Sequence, residues 1–197
     1  MTELVHVSAA VPALIDYDLE PLDQTAYEAI KRALAIRPGQ YHWLLLTKVL
    51  RASGLREAEV MALTPSHIER SGPDYYLSVR RGKRRDKSDR YERAPISAEV
   101  GAELLGYCIR VDMRQRIWHQ TPRAYQLAFR RAAIEATGQP HHPHELRALC
   151  AKDLLEQGYP LEVVSKMLGH TSTDTTRRWY LRLTSAERGA IMRNVRA

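Results

Sequence analysis

Cysteine is scarce in this 197-residue chain, with Cys108 and Cys150 the only two. They allow one bridge at most, and both stand in apolar, helix-patterned surroundings, so free buried thiols are expected and a disulfide-stapled scaffold is excluded. Long hydrophobic runs are missing as well. The fully apolar stretches, such as Trp43 to Leu46, extend only a few residues, against the ~20 that cross a bilayer, so no membrane helix and no membrane partner is expected. The first ten residues carry Glu3 and no Lys or Arg, unlike a secretory signal, which points to a cytoplasmic protein. Glycine and proline number ten each and are spread along the chain, which argues against fibrous repeats and wholesale disorder. No Walker loop, Cys-x-x-Cys pair or cluster of acidic metal ligands is present, so no metal and no cofactor is expected.

What is there is an ordinary globular composition, 44% hydrophobic and 27% charged, with a net charge of +7. The length suits one domain or two small ones. The charge is unevenly placed. Residues 80–93 hold eight basic and three acidic side chains and residues 177–197 hold six and one, whereas 94–176 balance at nine and nine and 1–79 are slightly acidic at seven and ten. Two short basic segments suit a polyanion partner, because neutralised phosphates release condensed counterions.

The pattern along the chain is helical with one interruption. Residues 1–21, with Pro12 and Pro21, read as an extended lead-in. Asp23 caps an expected helix over 24–35 that Arg37-Pro38-Gly39 ends. A second, over 41–52, is apolar on most sides (Trp43, Leu44, Leu45, Leu46, Val49, Leu50), is expected to be buried, and stops at Gly54. A short helix follows from Arg56 or Glu57 to Leu63. Residues 74–80 and 91–96 are rich in strand formers and are expected to pair as a hairpin across a long basic loop. Ser97 then caps a helix, Thr121-Pro122 opens one that Gly138 ends, His144 to Gln157 makes a third, Pro160 opens a short one to Leu168, and Thr173 or Asp174 a further one through Tyr180. Leu183, Ala186, Ala190, Ile191 and Val195 lay an apolar stripe along a basic tail. The expected fold is α+β, mainly α-helical, with one small antiparallel sheet or hairpin.

The residues that carry chemistry come in order. Ser53-Gly54-Leu55-Arg56-Glu57-Ala58-Glu59 precedes the hairpin with Gly82-Lys83, and Pro143-His144-Glu145-Leu146-Arg147, Met167-Leu168-Gly169-His170 and Thr175-Thr176-Arg177-Arg178-Trp179-Tyr180 follow. This series resembles the catalytic domain of the tyrosine recombinase (phage integrase) family over roughly residues 22–197, with 22–182 as the catalytic domain and 183–197 as a C-terminal helix. The resemblance implies that Arg56 and Arg147 clamp a DNA phosphate through planar guanidinium forks and that Tyr180 is the nucleophile. It further implies that His144 is the general acid/base, His170 a donor to a phosphate oxygen, Lys83 the acid for the departing 5′-oxygen, and Glu59 a supporting residue. The product is a 3′-phosphotyrosyl linkage, which keeps the phosphodiester energy and needs neither ATP nor metal. The implied partner is double-stranded DNA, met through Arg80, Arg81, Arg84, Arg85, Lys87, Arg177 and Arg178, in a prokaryotic, nucleoid-associated setting and a mobile-element context. His141, His142 and His144 read as a polar loop entering a helix rather than a zinc site.

Two departures from the family pattern stand out. The loop after residue 80 is longer than usual, so Lys87 also falls where the lysine often sits, with Lys83 preferred. Tyr180 lies ten residues after His170 where the family usually has nine, and Trp179 takes the ordinary position. One extra helical residue turns a side chain by ~100°. About 21 residues precede the resemblance, so a minimal recombinase and a catalytic fragment are both expected possibilities, and the C-terminal helix is expected to support self-association on DNA. Two other functions compete with strand exchange: topoisomerase-like nicking and closing by the same residues, and a non-catalytic DNA-binding regulator using 161–180 as a helix-turn-helix.

Overall fold

The computed structural model describes residues 20–80 and 91–169. Expected elements that fall elsewhere, namely the lead-in up to 19, the tip of the hairpin and everything from His170 onward, lie outside the described residues. Helix α1 (Gln24–Ala35) starts where Asp23 accepts the Ala26 N–H at 2.7 Å. It buries Tyr27, Ile30 and Leu34, an i, i+3, i+7 stripe. Helix α2 (Tyr41–Ser53) is the hub, with Trp43, Leu45, Leu46, Val49 and Leu50 buried, and it packs on α1, on α4 (Ala98–Tyr107) and on α6 (His144–Glu156). Gly54 ends it at φ +60° in the left-handed region. A short helix α3 (Glu57–Met61) follows.

The sheet has three strands, not two. β1 (Ile68–Ser71), β2 (Asp74–Arg80) and β3 (Tyr91–Ile96) form an antiparallel meander in that order. Tyr75, Leu77 and Val79 of β2 alternate inward, and Leu77 pairs with Ile68 on one side and Ala94 on the other. The strand missing from the sequence reading, β1, is a four-residue edge strand whose Glu69, Arg70 and Ser71 give no inward alternation, so nothing in its pattern distinguishes it from a turn. Its register is set by the turn at Gly72 (φ +60°).

Ser97 stands at the N-cap of α4, but its side chain makes no capping bond. Within α4, Gly101 lies against the sheet so closely that a Cβ there would sit 2.5 Å from Tyr75. Helix α5 (Pro122–Thr137) starts where Thr121 accepts the Ala124 N–H and ends at Gly138 in the left-handed region. It lies along α1 and seals the core with Tyr125, Phe129, Ala132 and Ala133. Helix α7 (Leu161–Leu168) packs on α6 through Val164, Leu168, Cys150 and Ala151. Both cysteines are buried and unbridged, and burial pushes the Cys108 thiol up to about 11, which makes it unreactive at neutral pH. Among the described residues no helix is long and apolar enough to cross a membrane.

Candidate active site

Arg56 stands at the N-cap of α3, with extended backbone, two residues past the left-handed Gly54. Glu59 holds it at both ends. One carboxylate oxygen accepts the Arg56 backbone N–H at 2.8 Å and the other accepts Nη1 at 3.0 Å, while Nη2 donates to the carbonyl of Gly169 at 3.2 Å. The Glu59 side chain is 6% exposed against 39% for Arg56. The carboxylate is thus an internal strut, and the guanidinium faces a solvent-open space.

His144 opens α6 and Arg147 lies one turn later, so both are on one side of the helix. Arg147 is buried at 4% exposure. Its Nη1 donates to the Gly54 carbonyl at 2.6 Å and its Nη2 to the Leu168 carbonyl at 2.7 Å. The two arginines therefore grip consecutive carbonyls, Leu168 and Gly169, where α7 ends in a left-handed glycine (φ +69°). They fix the point from which the chain runs into His170.

Glycine at 54 is required here. A Cβ on it would stand 2.4 Å from Leu168 Cδ2 and 3.1 Å from Cys150 Sγ, so only a bare backbone brings its carbonyl to Arg147. Burial, then the positive charge of Arg147, then His142 and Arg56 hold the His144 imidazole below its usual range against the opposing pull of Glu145. Its proton equilibrium thus responds to both arginines, and the ring is the neutral base at neutral pH.

The loop before α6 is locked by a residue that the sequence reading left without a role. Glu145 accepts the backbone N–H of His142 at 2.7 Å and of Leu22 at 3.0 Å, and its carboxylate meets His141 Nδ1 at 3.1 Å. Burial works to raise its carboxyl, but the His141 hydrogen bond and the two backbone N–H groups outweigh it and hold the group below the usual carboxylate range. The His141 ring also meets the Gln139 amide, and His142 Nδ1 accepts the His144 N–H at 3.2 Å. The His141 and His142 rings are thus held by hydrogen bonds within one turn, and His144 joins it through its backbone N–H. An acid in the first turn of a helix was the available signal for Glu145, and it was overshadowed by the His-x-x-Arg spacing around it.

Arg80 is exposed at the end of β2. A pocket of about 450 Å³ between α3 and the sheet is lined by Arg56, Glu59, Leu63, His67, Arg80 and Tyr91, among others. Beside it His67 stacks on Tyr91 with ring centroids 5.4 Å apart. Arg80 and Tyr91, the facing ends of β2 and β3, both stand on this rim. Of the residues singled out in the sequence, the structure brings Arg56, His144 and Arg147 together and sets Arg80 across the pocket from Arg56. Arg81, Lys83, Arg84, Arg85, Lys87, His170, Arg177, Arg178 and Tyr180, with the tail from 183 onward, lie outside the described residues.

Comparison with known proteins bears on the family and the fold. The phage integrase family model matches residues 20–187. Tyrosine recombinase XerC of Azotobacter vinelandii is 31% identical over 136 residues, covering 66% of this chain and 45% of that protein. Tyrosine recombinase XerA of Thermococcus kodakarensis is 30% identical over 166 residues, covering 76% and 54%. Among solved structures, the XerH site-specific recombinase bound to difH substrate in a pre-cleavage complex superposes with a TM-score of 0.67 at 19% identity, over 88% of this chain and 54% of that one. The XerA recombinase crystal structure gives 0.67 at 19% identity, over 90% and 66%. The chain thus spans about half the length of the curated relatives it matches.

Proposed function

The chain belongs to the phage integrase family, and from that premise we propose that it is a site-specific DNA recombinase that cuts and rejoins duplex DNA through a covalent tyrosine intermediate. The observation that carries the reading is the convergence of Arg56 and Arg147 on the Leu168–Gly169 turn, with His144 in the field of both. Two guanidiniums mounted on separate helices and braced by backbone carbonyls and by Glu59 form a rigid cationic fork suited to the non-bridging oxygens of one phosphodiester.

The step conserves phosphoester bonds. The phenolic oxygen of Tyr180 attacks the scissile phosphorus, the bond from phosphorus to the 5′-oxygen breaks, and a bond from phosphorus to the tyrosine oxygen forms on the 3′ side. Tyr180 gives up its proton to a base, for which His144 in its neutral form is suited. The departing 5′-oxygen takes a proton from Lys83, with Lys87 the second candidate. His170, following directly on the Gly169 carbonyl that Arg56 grips, donates to a phosphate oxygen as charge builds. A second DNA end bearing a 5′-hydroxyl reverses the step and restores Tyr180. Arg80, Arg81, Arg84, Arg85, Arg177 and Arg178 supply phosphate contacts that position the duplex. Residues 183–197 supply a contact to a second copy on DNA. The arginine fork favours chemistry over a purely regulatory DNA-binding role, since a binder has no use for an imidazole kept neutral by burial beside two braced guanidiniums.

The test is a trapping assay on nicked duplex, where loss of the short cleaved strand blocks rejoining. The expected result is a detergent-resistant protein–DNA adduct, formed in the presence of chelator and abolished by Tyr180→Phe with binding retained. Bound DNA with no adduct overturns the reading in favour of a regulator. Relaxation of supercoiled plasmid with no exchange between two duplexes replaces it with nicking and closing.

A further inference from the structure

We propose a second DNA-contacting surface, made by Arg110, Arg114 and Arg116 on the connection between α4 and α5 and by Arg123 in the first turn of α5, which extends the phosphate-binding face past the sheet; the inference rests on the proposal that this chain acts on duplex DNA. In the sequence, residues 94–176 are electrically balanced at nine basic and nine acidic side chains. The fold unbalances them. Glu103 is taken up by Lys48 and Tyr41, Asp153 by Arg51, Glu135 by Arg37 and Glu145 by the loop ahead of α6. Over 110–131 six arginines remain against the single acid Asp112, and Asp112 turns a carboxylate oxygen to the Arg114 backbone N–H at 2.8 Å. Arg110, Arg114, Arg116 and Arg123 are exposed. Among the described residues no acceptor or carboxylate meets their guanidiniums. A surface shaped only for solubility intersperses both signs, whereas this one gathers one sign and leaves it unmatched.

The segment is also rigid and continuous with the candidate active site. Buried Cys108, Ile117 and Trp118 anchor it, with the Trp118 indole stacked on Tyr107 at 5.9 Å. The Ile117 N–H donates to the Leu63 carbonyl at 2.9 Å, and the Ser66 N–H donates to the Met113 carbonyl at 3.3 Å. Ser66 precedes His67, which with Leu63, Tyr91 and Arg56 lines the same pocket. At Pro122 the connection passes into α5, whose Gln126 amide donates to the Glu57 carboxylate at 3.0 Å, next to Arg56 in sequence. The arginines therefore ride on an ordered loop tied to both rims of the arginine site, and a polyanion gripping them loses little loop entropy. A duplex laid across Arg56 and the basic hairpin continues over this strip and contributes evenly spaced phosphates to it.

The experiment compares the protein with its Arg110→Gln/Arg114→Gln/Arg116→Gln/Arg123→Gln variant, titrating a fluorescent mixed-sequence duplex over a range of salt. Each phosphate contact contributes about 0.9 to the slope of log affinity against log salt. We expect the slope to fall by roughly 3 to 4 units of that logarithmic scale. A fall below about 2 overturns the proposal. The matching fourfold Arg→Lys variant is expected to keep the slope, since an ammonium neutralises a phosphate equally well. If it falls like the glutamine variant, the effect is structural and the proposal fails. Adduct yield on nicked duplex at saturating protein is read separately. Its absence in the unaltered protein removes the strand-transfer reading, while the salt slope judges the strip alone.

Discussion

Replacing Arg147 by alanine gives the most informative single perturbation, because this side chain serves the fold as well as the chemistry. Its two bonds, 2.6 Å to Gly54 and 2.7 Å to Leu168, tie α6 to the end of α2 and to the end of α7. Hydrogen bonds to a charged group contribute about 1.5–3 kcal/mol each, and truncation leaves two carbonyls without their donor. Against this stands the desolvation of a guanidinium 4% exposed, which offsets several kcal/mol of the gross gain. The net loss is about 3 kcal/mol, and at ~2–4 °C per kcal/mol for a domain of this size the unfolding midpoint drops by about 6–12 °C. Arg147→Lys keeps the charge but spans only one carbonyl, so it falls between. Arg56→Lys keeps a cation against Glu59 and gives up the 3.2 Å bond to Gly169, a loss of about 1 kcal/mol. Thermal unfolding followed by far-ultraviolet circular dichroism ranks the three variants. An Arg147→Ala midpoint within about 2 °C of the unaltered protein, or one above that of Arg56→Lys, refutes the idea that this guanidinium is the tie.

Gly54→Ala imposes a left-handed conformation on a residue with a Cβ, at about 1–2 kcal/mol, and drives that Cβ to 2.4 Å from Leu168. Chemical denaturation is expected to show a loss of about 2–4 kcal/mol together with a fall in adduct yield, and unchanged stability contradicts the close packing. The depressed His144 imidazole is the neutral form at and above the ordinary value of 6.5. The unfolded chain takes up its proton first as pH falls, so the stability this group contributes is present above about 6.5 and lost below it. Its ring resonance, assigned with His144→Gln, is expected to titrate with a midpoint below 6.5, and a midpoint above that value contradicts the burial of the ring beside the two arginines. Glu145, held below the usual carboxylate range, contributes stability that is present above about 4.5 and lost as pH falls through its depressed value. Glu145→Gln is therefore expected to cost about 1–3 kcal/mol near neutrality and to flatten the acid limb of stability against pH, and an unchanged acid limb refutes the network.

Much of the fold is legible in the sequence wherever local chemistry sets a boundary. Asp23 and Thr121 cap their helices with the bonds expected of them, and Gly54 and Gly138 stop theirs in the left-handed region. The strands at 74–80 and 91–96 pair in the expected hairpin, because β2 alternates cleanly between core and solvent. The edge strand β1 was not legible, since its place in the sheet is set by pairing with β2 rather than by its own pattern. The arginines were legible through motif order, yet their bonds were not. That Arg147 spends two donors on main-chain carbonyls follows from how α2, α6 and α7 meet, a long-range fact with no local trace. The arginine excess between α4 and α5 is local and countable in the sequence, whereas the exposure of Arg110, Arg114, Arg116 and Arg123 and the anchoring of their segment through Ile117 and Trp118 follow from the fold.

The most direct test of the central claim is the identity of the atom that takes the DNA. Adduct formed on nicked duplex is digested with nuclease and then trypsin, and the nucleotide-bearing peptide is sequenced by mass spectrometry. Cleavage after Arg178 and Arg182 releases Trp179-Tyr180-Leu181-Arg182, in which Tyr180 is the sole oxygen nucleophile among the side chains. The account predicts a 3′-nucleotide phosphate on that peptide, at Tyr180. A nucleotide carried by any other residue, or DNA that is bound but never joined to the protein, contradicts it.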